Sequence, residues 1–178
     1  MDNKILFFLA GFVRNPKEVG ALFPSSTFVA KKIAKSIDFN KAKVIVELGS
    51  GTGTLTKEII ANAQKDTKIY CFETDKKFCI KLKNDFEDRV KILNQDAINV
   101  SKIKSDCIVS GLPFFNFSPS LRKLLLAAIK RSLNPDGSLI MFGYTTNMYK
   151  MLNQEFQYVD KQFVPLNLPP CFIFHCKL

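Results

Sequence analysis

The sequence lacks several of the residues on which metal and disulfide chemistry depend. It has no tryptophan, a single histidine and no Cys-x-x-Cys pair. Its five scattered cysteines therefore have neither the spacing nor the histidine partners of a zinc site. An odd number of cysteines without a framework is typical of a reducing cytosol. We expect a cytoplasmic protein without a metal site.

A long hydrophobic run is also missing. The apolar run Ile5–Val13 has nine residues, and as a helix it would extend about 14 Å, too short to cross a bilayer. No clear signal-peptide cleavage site follows it. Because the run is apolar nearly all round, it must be buried somewhere. Either it packs on the domain itself, or it inserts into a membrane interface with Lys4, Arg14 and Lys17 at head-group level.

Acidic residues are scarce. Sixteen Asp and Glu face 26 Lys and Arg, which gives a net charge of +10. Residues 1–46 hold eight basic against three acidic side chains, so part of the excess lies beside the apolar run. This balance favours an anionic partner, either nucleic acid or a membrane surface, although solubility alone would also explain it.

Short apolar strands alternate with helices along the chain. Strands are predicted at 44–48, 69–72, 90–93, 107–110 and 139–142, with two more at 158–164 and 171–176. The alternation predicts an α/β fold: a Rossmann-like sheet of about seven mostly parallel strands with helices on both faces. The length of 178 residues suits one domain covering 1–178, in which 1–40 form a helical N-terminal docking segment.

The most informative stretch is the strand at 44–48 and the turn Gly49-Ser50-Gly51-Thr52-Gly53. Alternate glycines allow a sharp turn and close backbone approach to a ligand, and the next helix offers free N–H groups to an anion. Thr54 replaces the third glycine of a dinucleotide fingerprint, and no lysine follows as in a P-loop. With Glu47 two positions before the first glycine, the stretch resembles the first motif of class I S-adenosylmethionine (SAM) methyltransferases.

Further polar residues follow the other predicted strands. The carboxyl ends of parallel strands meet at one edge of a sheet, where ligands bind. Glu73, as an ionised acceptor, suits the hydroxyls of a ribose in either SAM or NAD, and Asp96 with Ala97 suits an adenine. Glu73 alone does not separate SAM from NAD, but Glu47, the missing third glycine and Asp96 together favour SAM as the cofactor. The expected cofactor residues are Glu47, Gly49, Ser50, Gly51, Gly53, Glu73, Thr74, Asp96, Ala97 and Ser110.

Four segments, at 15–26, 46–53, 110–114 and 167–170, resemble the bacterial phospholipid N-methyltransferase family, a relative of the rRNA adenine dimethylases. The resemblance implies SAM-dependent methylation of the amino head group of phosphatidylethanolamine, or of its partly methylated forms, by a peripheral enzyme on an anionic membrane. The chain departs from the pattern of this family at Ser50, where Pro is common, and at Gln95, where Gly is common. Implied membrane residues are Phe7, Phe8, Phe12, Arg14 and Lys17, and implied substrate residues are Gly111, Leu112, Pro113, Phe114 and Phe115.

The main alternative is an RNA adenine N6-methyltransferase. Those enzymes carry Asn-Leu-Pro-Tyr after the fourth strand, whereas this chain has Gly111 and Phe114 at the first and last of these positions. Gly111 offers no side-chain acceptor for a base amine, which makes nucleic acid the less favoured partner, but Phe114 and Phe115 could stack on a base. We also expect no counterpart of the helical C-terminal domain of those enzymes. A non-catalytic SAM-binding or membrane-docking protein is a third hypothesis.

A general base is not evident in the sequence. Tyr144, just past the fifth strand, is the weak candidate for this base, because an aromatic residue in the core or at the rim of the sheet would also account for a tyrosine at this position. His175 is expected to be structural because it lies late in the last strand.

Overall fold

The computed structural model describes residues 27–167 and 169–178. Its sheet has seven strands in the order β3-β2-β1-β4-β5-β7-β6. Strands β1 to β5 run parallel, and β7 pairs antiparallel with both β5 and β6. The predicted fold class is confirmed. The strands are β1 Val44–Leu48, β2 Lys68–Phe72, β3 Lys91–Leu93, β4 Ser105–Ser110, β5 Leu133–Gly143, β6 Tyr158–Val164 and β7 Cys171–Lys177.

Helices cover both faces of this sheet. One face packs against apolar side chains of α1 and α2, and the other against α4 and α5. Short 3-10 turns occur at Glu87–Arg89, Ala97–Lys102 and Phe114–Asn116. The helices are α1 Thr27–Lys35, α2 Thr54–Asn62, α3 Lys76–Phe86, α4 Pro119–Ser132 and α5 Asn147–Glu155.

Strand β1 lies at the centre of the sheet, and its composition follows from that position. Ile45, Val46 and Leu48 are fully buried, because helices cover both faces of a parallel sheet. In the register, Leu48 pairs with Phe72 of β2 and with Ser110 of β4. The segments that follow these three strands therefore begin at the same level of one edge.

Two elements differ from the sequence predictions. Helix α5 was not predicted, because Asn147 and Asn153 are poor helix formers and only Met148 and Leu152 mark its buried side. Strand β5 begins at Leu133 and so includes Asn134-Pro135-Asp136-Gly137, residues that are typical of a turn. The turn residues fit into the strand because the β4–β5 register shifts between Ser105 and Cys107.

The five cysteines are free and buried. Within residues 27–167 and 169–178, no group of three or more His, Cys, Asp or Glu side chains is arranged to hold a metal ion. None of the helices described there is long and apolar enough to cross a membrane. The predicted membrane residues Phe7, Phe8, Phe12, Arg14 and Lys17 lie outside the described residues.

Candidate functional site

A cavity of about 290 Å³ opens at the carboxyl edge of the sheet, beside the segments that follow β1, β2, β3 and β4. It brings together residues that are far apart in the sequence. Those that the sequence predicted are Gly49, Gly51, Glu73, Thr74, Ala97, Gly111, Leu112 and Pro113, and those that it missed are Phe72, Asp75, Phe78 and Gln95.

The glycine turn after β1 forms one wall of the cavity. Gly49, Gly51 and Gly53 all have positive φ angles, of 75°, 51° and 85°, which glycine adopts most readily. A Cβ on Gly49 would lie 2.7 Å from Leu112 Cδ2, and one on Gly53 would lie 2.8 Å from atoms of Leu82 and Phe86. Gly53 therefore packs the turn against α3, whereas Gly49 and Gly51 present bare backbone to the cavity.

Glu73 is one of the two acidic residues, with Asp75, among the described residues that line the cavity. Its Oε2 accepts a hydrogen bond from the Gly51 N–H at 2.8 Å, and its Oε1 accepts one from the Asp75 N–H at 2.8 Å. A carboxylate has about four acceptor positions, so two remain for a ligand. Glu73 thus joins the glycine turn to the start of α3 and keeps acceptor capacity beside both.

Asn94 holds the backbone that carries Glu73. Its side-chain amide donates to the carbonyl oxygens of Glu73 at 3.0 Å and Thr74 at 2.9 Å. No role was predicted for Asn94, although a polar residue directly after β3 lies at the edge of the sheet where ligands bind. Asp75 was missed as well: its side chain caps α3 by accepting from the N–H groups of Lys77 and Phe78.

Glu47 lies beneath the turn and does not line the cavity. It is 1% exposed, and it accepts hydrogen bonds from Thr56 Oγ1 at 2.6 Å and from Cys71 Sγ at 3.5 Å. Burial raises the pKa of Glu47 to about 7, although the hydrogen bonds from Thr56 and Cys71 oppose that rise. Glu47 therefore connects β1 to α2 and β2 below the ligand site.

The loop after β4 forms the opposite wall. The Gly111 N–H donates to the Leu48 carbonyl at 2.9 Å, and a Cβ on Gly111 would lie 2.9 Å from the Gly49 carbonyl oxygen. Ser110 Oγ accepts from the Leu112 N–H at 3.3 Å and so shapes this loop from inside the core. The loop and the glycine turn touch through backbone, which only a glycine at 111 allows without a shift.

The structure places some predicted site residues elsewhere. Phe114 is 1% exposed, packs on Phe117 with ring centroids 5.8 Å apart, and is not among the residues that line the cavity. Asp96 is exposed and caps the 3-10 turn through the Ile98 N–H, while its neighbours Gln95 and Ala97 line the cavity. Gly53, Ser50, Ser110 and Phe115 are likewise not among the lining residues.

Tyr144 also lies outside the cavity. Its ring packs edge-on against the Phe142 ring, with the two centroids 5.9 Å apart, in the cluster of side chains beneath α1 and α2. Burial raises the pKa of Tyr144 to about 12, so its hydroxyl stays protonated at neutral pH. This environment argues against Tyr144 as a general base.

The cavity fits SAM in its chemistry. Gly49 and Gly51 supply backbone without side chains, Glu73 supplies acceptors for ribose hydroxyls, and Phe78 and Ala97 supply apolar surface for an adenine. A sheet in the order β3-β2-β1-β4-β5-β7-β6 with β7 antiparallel, a glycine turn after β1 and a carboxylate after β2 is typical of the class I SAM-dependent methyltransferases. The same fold occurs in a precorrin-6y C5,15-methyltransferase from Geobacter metallireducens (TM-score 0.67, 13% identity, covering 87% of this chain and 90% of that one).

The chain belongs to the ribosomal RNA adenine dimethylase family, whose model matches residues 14–159. It is 30% identical to an ornithine lipid N-methyltransferase from Singulisphaera acidiphila, over 96% of this chain and 94% of that protein. It is 29% identical to a probable ribosomal RNA small subunit methyltransferase A from Pyrococcus furiosus, over 70% of this chain. The match spans only 45% of that second relative. The protein is thus a SAM-dependent methyltransferase.

Proposed function

We propose that the protein methylates the amino head group of a membrane lipid, phosphatidylethanolamine or its partly methylated forms, at an anionic membrane surface. The observation that carries this proposal is the backbone contact between Gly111 and Gly49. It leaves no room at position 111 for the asparagine with which an RNA adenine methyltransferase would hold a base amine. The similarity to an ornithine lipid N-methyltransferase supports a lipid amine as the acceptor.

Each wall of the cavity has a part in this proposal. Glu73 would hold the ribose, the glycine turn would receive the amino-acid end of SAM, and Gln95 and Ala97 would flank the adenine. SAM supplies an electrophilic methyl group on its sulfonium. The loop Gly111-Leu112-Pro113 would place the acceptor amine opposite, where alignment and exclusion of water favour transfer. The amine must lose a proton to react. Tyr144 remains a prediction for the general base that accepts this proton, although its raised pKa argues against it.

RNA adenine methylation is the second candidate function. The family match and the rRNA methyltransferase relatives favour it. Against it, the Phe114 ring is buried and unavailable to stack on a base, which leaves the half-buried Phe115 as the aromatic side chain of this loop. A protein that binds SAM without turnover is the third possibility.

One labelling experiment separates these functions. The purified protein would be incubated with SAM carrying a labelled methyl group and, in parallel, with phosphatidylethanolamine vesicles, ornithine lipid vesicles or total RNA. We expect label in the phosphatidylethanolamine. Label in ornithine lipid alone would keep the lipid class and change the head group, and label in RNA alone would reverse the proposal.

Binding of S-adenosylhomocysteine, measured by calorimetry on the same preparation, serves as the control. Binding without label in any acceptor would support the non-catalytic reading. Absence of binding would contradict the SAM site itself.

A further inference from the structure

A second, larger cavity lies on the helical layer formed by α1 and α2. Its volume is about 680 Å³, and it shares no lining residue with the cofactor cavity. We call it the lysine groove. It is formed by residues of α1 and of the segment that follows it, of α2 and of β6: Phe28, Lys31, Lys32, Lys35, Ser36, Glu58, Asn62 and Gln162.

The groove carries unbalanced positive charge. Among the residues that the structure describes, Glu58 is the one acidic side chain that lines it, against three lysines. Within the described part of the chain, the ion pairs are Lys41–Asp38, Lys43–Asp66, Lys81–Asp85 and Lys130–Glu155, and none includes a lysine of the groove. The three ammonium groups therefore lack a carboxylate partner in that part of the chain.

Helix stability explains only part of this arrangement. Lys32 and Lys35 lie in the last turn of α1, where cations offset the helix dipole. Lys31 lies outside that turn, and Lys31 and Lys35 are four residues apart on one side of the helix, a spacing at which like charges repel. The repulsion would be relieved by an anion bound between them.

Neutral groups around the lysines add polar and apolar contacts. Asn62 uses one of its two amide hydrogens on the Glu58 carbonyl at 2.8 Å, which leaves the other for a ligand. The Phe28 ring is 38% exposed and lies 5.6 Å from Lys32 Nζ, so it gives the groove an apolar end. These groups suit an anion with several acceptor oxygens attached to an organic part.

We propose that the lysine groove binds a phosphate ester. A phosphate group carries the negative charge and the acceptor oxygens needed to contact several ammonium groups together. Lysine side chains bind such a group as point charges. The volume of the groove leaves space for the alcohol part of the ester. The ester can come from a phospholipid head group or from a soluble metabolite, and the chemistry of the site is the same for both.

The test compares two variants with the same change in charge. The variant K31Q/K32Q/K35Q removes the lysines of the groove. The matched control K102Q/K123Q/K150Q removes three exposed lysines elsewhere that form no ion pair within the described residues. Far-UV circular dichroism and S-adenosylhomocysteine binding would verify that both variants fold and keep the cofactor site.

Two probes distinguish the sources of the ester. Glycerol 3-phosphate would be titrated while backbone amide shifts are recorded, and phosphatidylglycerol vesicles would be used in flotation. For either probe that binds, we expect the groove variant to lose affinity by about tenfold or more, and the control variant by much less. Binding of both probes, or of vesicles alone, identifies a lipid head group, and binding of glycerol 3-phosphate alone identifies a soluble ester.

Three results would overturn the proposal. The first is that the wild-type protein binds neither probe. The second is an equal loss of affinity in both variants, which would reflect net charge only. The third is a set of shifted amides that lies around the cofactor cavity and leaves α1, α2 and β6 unchanged. None of these results depends on which acceptor the enzyme methylates.

Discussion

Two glutamates, Glu47 in β1 and Glu73 directly after the neighbouring strand β2, illustrate how position decides what a residue does. Glu47 is sealed under the glycine turn, and its burial raises its pKa to about 7. Glu73 borders the cavity and accepts two backbone N–H groups with acceptor positions to spare. The first holds structural elements together, and the second faces the ligand. These different environments lead to different predictions.

Glu73→Gln is expected to weaken cofactor binding. The substitution removes the charge and turns one acceptor oxygen into a donor that would meet an N–H group of Gly51 or Asp75. Hydrogen bonds to charged groups contribute roughly 1.5–3 kcal/mol, so the affinity for S-adenosylhomocysteine should fall by roughly 10- to 100-fold. Calorimetry would measure it, with the exposed Asp88→Asn as the control. Equal affinities in wild type and Glu73→Gln would remove Glu73 from the site.

Glu47 is expected to make stability depend on pH. The pKa of Glu47 is about 7 in the folded protein, whereas the ordinary value of 4.5 applies in the unfolded chain. Between pH 4.5 and pH 7 the unfolded chain therefore releases a proton that the folded chain keeps. The contribution of Glu47 is therefore fully present below pH 4.5 and is lost as pH rises through 7, by roughly 2–4 kcal/mol.

Melting temperatures of wild type and Glu47→Gln at pH 5 and pH 8 would test this. Glutamine has no ionisable group, so the stability of the wild type relative to the variant should fall as the pH rises. A difference that is the same at both pH values would contradict the raised pKa.

At the scale of elements, the site depends on a backbone contact between the turn after β1 and the loop after β4. Position 111 tolerates no Cβ, because that atom would meet the Gly49 carbonyl oxygen at 2.9 Å. Gly143, at the end of β5, provides a comparison. A Cβ there would meet the flexible end of Met148 at 2.6 Å, which can move aside.

Gly111→Ala should therefore damage cofactor binding more than Gly143→Ala. We expect the first variant to displace the glycine turn, and to lose at least about tenfold in affinity for S-adenosylhomocysteine together with several degrees in melting temperature. The second should lose less of both. If the two variants behave alike, the contact between the turn and the loop does not shape the site.

The sequence predicted a feature of the fold where a single local rule determines that feature. The apolar β-branched run of β1, the three glycines and Glu73 could be assigned because each has few alternative explanations. The burial of Phe114 and the exposure of Asp96 could not, since both depend on how the 3-10 turns after β3 and β4 fold back on the sheet. Asn94 was missed because its contacts are with carbonyl oxygens 20 and 21 residues away.

At the scale of the whole molecule, a polar cluster at the amino edge of the sheet lies opposite the cofactor cavity at the carboxyl edge. At the amino edge, the Asp106 carboxylate accepts from the N–H groups of Lys43 and Val44 and from the Asn134 side chain, which joins β1, β4 and β5. Burial alone would raise the pKa of Asp106, but these hydrogen bonds outweigh it and the pKa lies below its usual value. The carboxyl edge is thus left free for the cofactor cavity.

The net charge of +10 is likewise a property of the whole chain, and it leads to the last prediction. Deletion of residues 1–13 removes the whole apolar run Ile5–Val13 and none of the described residues that line the cofactor cavity. If this run inserts into an interface, flotation with phosphatidylglycerol vesicles should fall several-fold, and the binding that remains should be more sensitive to salt, because it is then mainly electrostatic. S-Adenosylhomocysteine affinity is the control. Unchanged flotation with a lower melting temperature would instead mean that the run packs on the domain.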